Sequence, residues 1–94
     1  HYMIAFPLMS IAKIELGRGN GQLAEVVSRE ALQRLEVVVP GTFLEGVAQC
    51  LVGLSLEQQG NTAEGTPLVE LSHALMQSGH IPDPYPAMCR LPDK

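Results

Sequence analysis

The stretch TFLEGVAQCLVGLSLEQQG, residues 42–60, decides the fold. It opens on Thr42-Phe43-Leu44-Glu45, which matches a capping box: the threonine hydroxyl accepts the third helical amide and the glutamate reaches back to the cap's own N–H. Val47, Ala48, Leu51, Val52, Leu54 and Leu56 follow, with Cys50 and Gly53 between them, and Gly60-Asn61 ends the run. The segment is longer than an ordinary strand and has no two-residue alternation, so it predicts a helix. It is apolar nearly all round, which makes it the central and most buried helix of its domain.

The flanks repeat the pattern. Upstream, Leu23, Val26, Val27, Ala31, Leu35 and Val38 form one stripe of an amphipathic helix over about 21–38, with Asn20 as its cap. The β-branched Val37-Val38-Val39 before Pro40 leave a short strand at 36–39 as the competing assignment. Before that, Leu8, Ile11, Ala12 and Ile14 recur at helical spacing over about 5–18, with Pro7 in the first turn and Gly17 to Gly19 as the stop. Downstream, residues 61–65 read as a turn, Thr66 as a cap and Pro67 as the first helical position of a fourth helix over about 66–78, closed by Gly79. Residues 80–94 hold Pro82, Pro84, Pro86 and Pro92 and are expected to be an extended arm. The expectation is one all-α domain over 1–94: four helices in two helix-turn-helix hairpins across 3–79, then a proline-rich tail. His1-Tyr2 ahead of Met3 reads as a cloning remnant, or the chain as a domain excised from something longer.

A chain of 94 residues is too short for separate cofactor and substrate domains. Its size limits burial to roughly 60–65% of the surface the unfolded chain exposes, so a partner or second copy would add to a thin core. Charged residues are 17% and apolar ones 46%, a balance that argues against disorder. The formal net charge of −4 comes from the middle of the chain, where Glu45, Glu57, Glu64 and Glu70 face no base between positions 35 and 89. Without a basic stripe, and with four aromatics in all, nucleic-acid binding is not expected. The apolar run from Ile4 to Ala12 is too short to span a bilayer and lacks the basic flank of a signal peptide, so no membrane segment is expected. Two cysteines, outside any C-x-x-C pair, suggest reduced thiols and a cytoplasmic location, with Cys50 as a small core residue. A Cys50–Cys89 bond pinning the tail is the alternative in an oxidising compartment.

Gly19-Asn20 and Gly60-Asn61 are 41 residues apart, so the two hairpins superpose as an internal repeat. Over residues 8–78 the chain resembles tetratricopeptide (TPR) repeats. Gly53 stands at the family's small position in the first helix of the second unit, Leu56 at its large apolar position and Gly60 at its turn. In the first unit Ala12, Gly19, Ala24 and Ala31 match likewise. Leu8 or Gln49 replaces the usual aromatic, Gly65 and Ser72 replace two alanines, and the connection to Thr42 is longer than the family's. The resemblance implies a scaffold that binds peptides or partner helices; a generic four-helix array is the other architecture left open.

Candidate chemistry is sparse. His73, His80, Asp83 and Cys89 contain zinc-type ligands, but the seven-residue gap between the histidines does not match the tight pairs of structural sites, so no metal or cofactor is expected. Gly17 to Gly21 is glycine-rich yet lacks the lysine and hydroxyl of a phosphate loop. No catalytic residue is assigned. The expected function is a non-enzymatic protein–protein interaction module, adaptor or chaperone-like, with another protein or a second copy of itself as partner. Phe6, Leu8, Met9 and Ile11 on the first helix and Tyr85 in the tail are the candidate partner-binding residues. The rival is a small helical enzyme or a ligand- or metal-binding protein using Glu70, His73 and His80.

Overall fold

A computed structural model describes residues 4–76 and Cys89. Four helices follow one another: α1 (Ala5–Gly17), α2 (Gly21–Val38), α3 (Phe43–Gln58) and α4 (Thr62–Met76). There is no strand among the described residues. The valines at the end of α2 remain helical, and the Val39 N–H still donates to the Leu35 carbonyl at 2.8 Å, so the strand alternative at 36–39 is not taken.

The two hairpins close by the same turn, 41 residues apart. Gly19 and Gly60 adopt left-handed backbone, with φ of 79° and 88°. Just beyond them, Asn20 N–H donates to Glu15 O and Asn61 N–H to Leu56 O, both at 2.8 Å. Gly19 N–H reaches Leu16 O and Gly60 N–H reaches Glu57 O. These paired bonds are the Schellman closure, which needs a residue free to take positive φ. Each asparagine then opens the next helix: Oδ1 of Asn20 accepts Leu23 N–H at 3.5 Å, and Oδ1 of Asn61 accepts Glu64 N–H at 3.4 Å.

That second cap moves the start of α4. The expectation placed it at Thr66, but Asn61 starts the helix at Thr62 and leaves Pro67 inside it, at the loss of one backbone bond in the second turn. The Thr66 hydroxyl instead donates to Glu57 Oε2 at 2.7 Å, tying α4 to α3. The capping box at α3 is also corrected. The Thr42 hydroxyl donates to Val39 O at 2.8 Å, and Glu45 Oε1 accepts the Gly41 N–H at 2.6 Å, one residue further back than a capping box would take it.

α3 is the buried centre, as its composition predicts: Val47, Ala48, Cys50, Leu51, Val52 and Gly53 are enclosed. It packs on both α2 and α4, α1 packs on α2, and a smaller contact joins α1 to α3. The core consists of Ala5, Met9, Ala12, Ala31, Leu35, Val47, Leu51 and Met76 with their neighbours. Three serines are fully enclosed, yet each hydroxyl bonds a carbonyl of its own helix: Ser28 to Glu25 O, Ser55 to Leu51 O and Ser72 to Val69 O. Burial therefore leaves no hydroxyl unpaired at these sites.

The cysteines differ from the expectation of two thiols. Cys50 and Cys89 form a disulfide, with their Cα atoms 5.7 Å apart. A separation of 39 residues carries no spacing signal, because the pairing depends on residue 89 returning to the middle of α3. The extended-arm expectation for residues 80–94, and Tyr85, His80, Asp83 and Gly79 with it, lie outside the described residues.

Candidate functional site

The surface of α1 turned away from α2 and α3 is apolar. Ile4, Ile11 and Ile14 are 46%, 41% and 54% exposed, and Pro7 lies among them, also exposed. Their spacing of three and four residues places them on one stripe of the helix. The internal repeat sets that stripe beside a covered one. Forty-one residues on, Pro7, Ile11 and Ile14 correspond to Ala48, Val52 and Ser55 of α3, which are fully buried. Ser55 lies against the first hairpin: a Cβ on Gly21 would sit 3.0 Å from its carbonyl oxygen. In α3 this stripe is covered by the preceding hairpin, whereas in α1 it is exposed.

The sequence-predicted partner residues divide accordingly. Ile11 is on the bare stripe. Phe6 and Leu8 are half-buried and pack against the core. Met9 is fully enclosed and therefore leaves the partner surface, because its side chain fills the centre of the α1 contact with the rest of the molecule. Ile4 and Ile14 take its place; both were visible in the sequence as apolar residues, and only the direction of burial around α1 was not.

The junction between hairpins is polar. Gln59 Nε2 donates to Glu25 Oε1 at 2.8 Å and to Ser55 O at 3.1 Å. Arg29 Nε donates to Glu25 Oε2 at 2.7 Å, and its Nη2 lies 3.4 Å from Glu64 Oε2. The amide of Gln59, and next the Arg29 guanidinium, hold the Glu25 carboxyl below the usual carboxylate range. Gln58 Nε2 donates to Leu16 O at 2.9 Å, satisfying a carbonyl at the end of α1.

Of the rival enzyme set, Glu70 is exposed on α4, and no hydrogen bond joins it to His73 among the described residues. His73 Nε2 is buried and has no hydrogen-bond partner among the described residues. The ligand atoms of His73, Cys50 and Cys89 all lie within 4.8 Å of one another. The zinc-type grouping read from the sequence contained two of these three; Cys50 was missing from it. An open depression of about 1010 Å³ runs along α2 past Val26, Arg29, Leu32, Gln33 and Val37. All its lining residues belong to that one helix, so it is an outer face and does not enclose a ligand. No helix among the described residues is long and apolar enough to cross a membrane.

No family model, no curated protein and no solved structure matches the chain.

Proposed function

We propose that the protein is a non-enzymatic protein–protein interaction module, adaptor or chaperone-like, which self-associates through α1. The observation that carries this is the bare stripe of Ile4, Pro7, Ile11 and Ile14; the counterparts of the last three in the second hairpin, Ala48, Val52 and Ser55, are fully buried. The repeat names the kind of object that fits there: a helix pair like the chain's own. A second copy supplies one, and pairing α1 with α1 about a two-fold axis gives a closed dimer. Stacked hairpins with left-handed glycine turns are also what the tetratricopeptide resemblance implies, and in such arrays an uncovered apolar face favours association. A cytoplasmic location belongs to this proposal, and there the Cys50–Cys89 pair would be held reduced.

Size-exclusion chromatography with light scattering tests it. The full chain should elute as a dimer, and Ile11→Glu or Ile14→Glu should give a monomer with unchanged far-ultraviolet circular dichroism, because the isoleucines are exposed in the single chain. A wild-type chain that stays monomeric at high protein concentration would remove the self-association.

A further inference from the structure

Cys50 on α3, His73 on α4 and Cys89 beyond the helices converge from three parts of the chain. Cys50 and Cys89 are enclosed, at 0% and 1% exposure. A ring nitrogen of His73 stands within 4.8 Å of both sulfurs, and Nε2 of that ring is buried without a hydrogen-bond partner among the described residues. Leaving a buried nitrogen unpaired is costly, so such an atom calls for a ligand or a cause. Packing does not supply the cause. By the 41-residue repeat, His73 corresponds to Leu32 and Cys50 to Met9, and the first hairpin fills the same places with purely apolar side chains. The other nearby polar group is engaged: the Ser72 hydroxyl, 4.0 Å from Cys89 Sγ, already donates to Val69 O at 2.6 Å.

We propose that the reduced chain binds one thiophilic divalent ion, Zn²⁺, through Cys50 Sγ, Cys89 Sγ and His73 Nε2, and that formation of the Cys50–Cys89 disulfide expels it. Two thiolates and one imidazole are a known zinc donor set that leaves one position of the tetrahedron open. In a zinc site with Zn–S bonds of about 2.3 Å the two sulfurs stand roughly 3.8 Å apart. The Cα separation of 5.7 Å lets side-chain rotation open the disulfide to that span without moving helices. The steps balance as follows. A dithiol reductant gives two electrons and two protons to the disulfide and becomes a disulfide itself. Zn²⁺ then displaces one proton from each thiol, and neutral His73 adds its lone pair, so two protons leave for each ion bound. Oxidation by a disulfide reagent reverses the sequence and releases the ion. Under either condition Cys89 stays joined to α3, by a covalent bond when oxidised and through the metal when reduced.

The experiment uses the full chain, reduced with a phosphine and titrated anaerobically with Co²⁺ as the spectroscopic stand-in for Zn²⁺. One equivalent should bind, with sulfur-to-cobalt charge-transfer absorption and the intense visible bands of a tetrahedral ion, and Zn²⁺ should displace it. The oxidised chain should show neither band. His73→Leu, which copies the first hairpin's residue and so should fold, should weaken Co²⁺ binding by more than about tenfold. Circular dichroism of His73→Leu checks that it remains helical. Absence of a charge-transfer band in the reduced chain overturns the proposal, as does a His73→Leu affinity equal to wild type. Equal binding by the oxidised chain would overturn the redox gating.

Discussion

Gly53 and Gly65 face each other where α3 crosses α4, and neither leaves room for a side chain. A Cβ on Gly53 would lie 2.8 Å from the Gly65 carbonyl oxygen and 2.7 Å from Val69 Cγ2. A Cβ on Gly65 would lie 2.6 Å from the Gly53 carbonyl oxygen and 2.9 Å from the Glu57 nitrogen. Alanine in a helix gains about 1 kcal/mol over glycine from its lower chain entropy. Overlap with backbone forces helices apart, at about 1–3 kcal/mol or more. Overlap wins here, and Gly65→Ala should destabilise more than Gly53→Ala, since both of its nearest neighbours are backbone atoms. Gly17→Ala is the control: nothing lies within 4 Å of a Cβ there, so it should be neutral or stabilise by up to about 1 kcal/mol. Urea denaturation of the three variants measures the order; a Gly65→Ala chain as stable as wild type would contradict the close crossing. Gly53 was legible in the sequence as a small position within an apolar helix. Gly65 read as part of the 61–65 turn, and only the tetratricopeptide resemblance set it at a small position of the following helix, because nothing local distinguishes a turn glycine from one that lets a second helix approach.

Helix boundaries follow side chains that the local sequence ranks only in part. The first three helices match their expected spans: glycine and proline bound α2 and α3 on both sides, and Pro7 in the first turn and Gly17 to Gly19 at the end mark α1. α4 does not, because two caps compete: Asn61 and Thr66 are both good N-caps, and Thr66-Pro67 looks the stronger pair locally. Tertiary contact decides, since Glu57 accepts the Thr66 hydroxyl and removes it from the capping role. The cluster of Glu25, Arg29, Gln59 and Glu64 was likewise invisible in sequence, where Glu25 and Arg29 form an ordinary pair one turn apart. In the fold it joins α2 to the end of α3 and the start of α4. The lowered pKa of Glu25, caused first by Gln59 and then by Arg29, sets the sign of a pH effect. Its stabilisation is complete above the unfolded value of about 4.3 and is lost as pH falls through the lower folded value, where the native carboxylate takes up its proton. Wild type should therefore exceed Glu25→Gln in denaturation midpoint at about pH 6, and the gap should narrow as pH falls below about 4. The pair lies at the surface with Arg29 about half exposed, so the gap should be small. Midpoints that remain parallel across that range would show that the charge on Glu25 plays no part.

For the whole molecule, the covalent link outweighs any single contact. Each hairpin buries its inner face on the other, the outer stripe of α1 is exposed, and Cys89 is bonded to the middle of α3. Closing a loop with 39 residues of sequence separation removes chain entropy from the unfolded state worth about 4 kcal/mol by the loop-length relation. Domains of this size have total stabilities of about 5–15 kcal/mol, so a large share would depend on one bond. Reduction by a phosphine, or Cys89→Ser, should lower the unfolding free energy by up to about 4 kcal/mol while leaving the helices formed at room temperature. The comparison separates two sources of stability. If the helical stack alone supplied it, oxidised and reduced chains would unfold at the same urea concentration, and Cys89→Ser would match both. If the link supplies it, the reduced chain and Cys89→Ser should fall together in a metal-free buffer. Zn²⁺ should then restore the reduced wild type and leave Cys89→Ser unchanged, because a metal that binds only the native fold adds its binding free energy to stability. A parallel rise in both chains would mean that the ion acts elsewhere than at Cys50, His73 and Cys89.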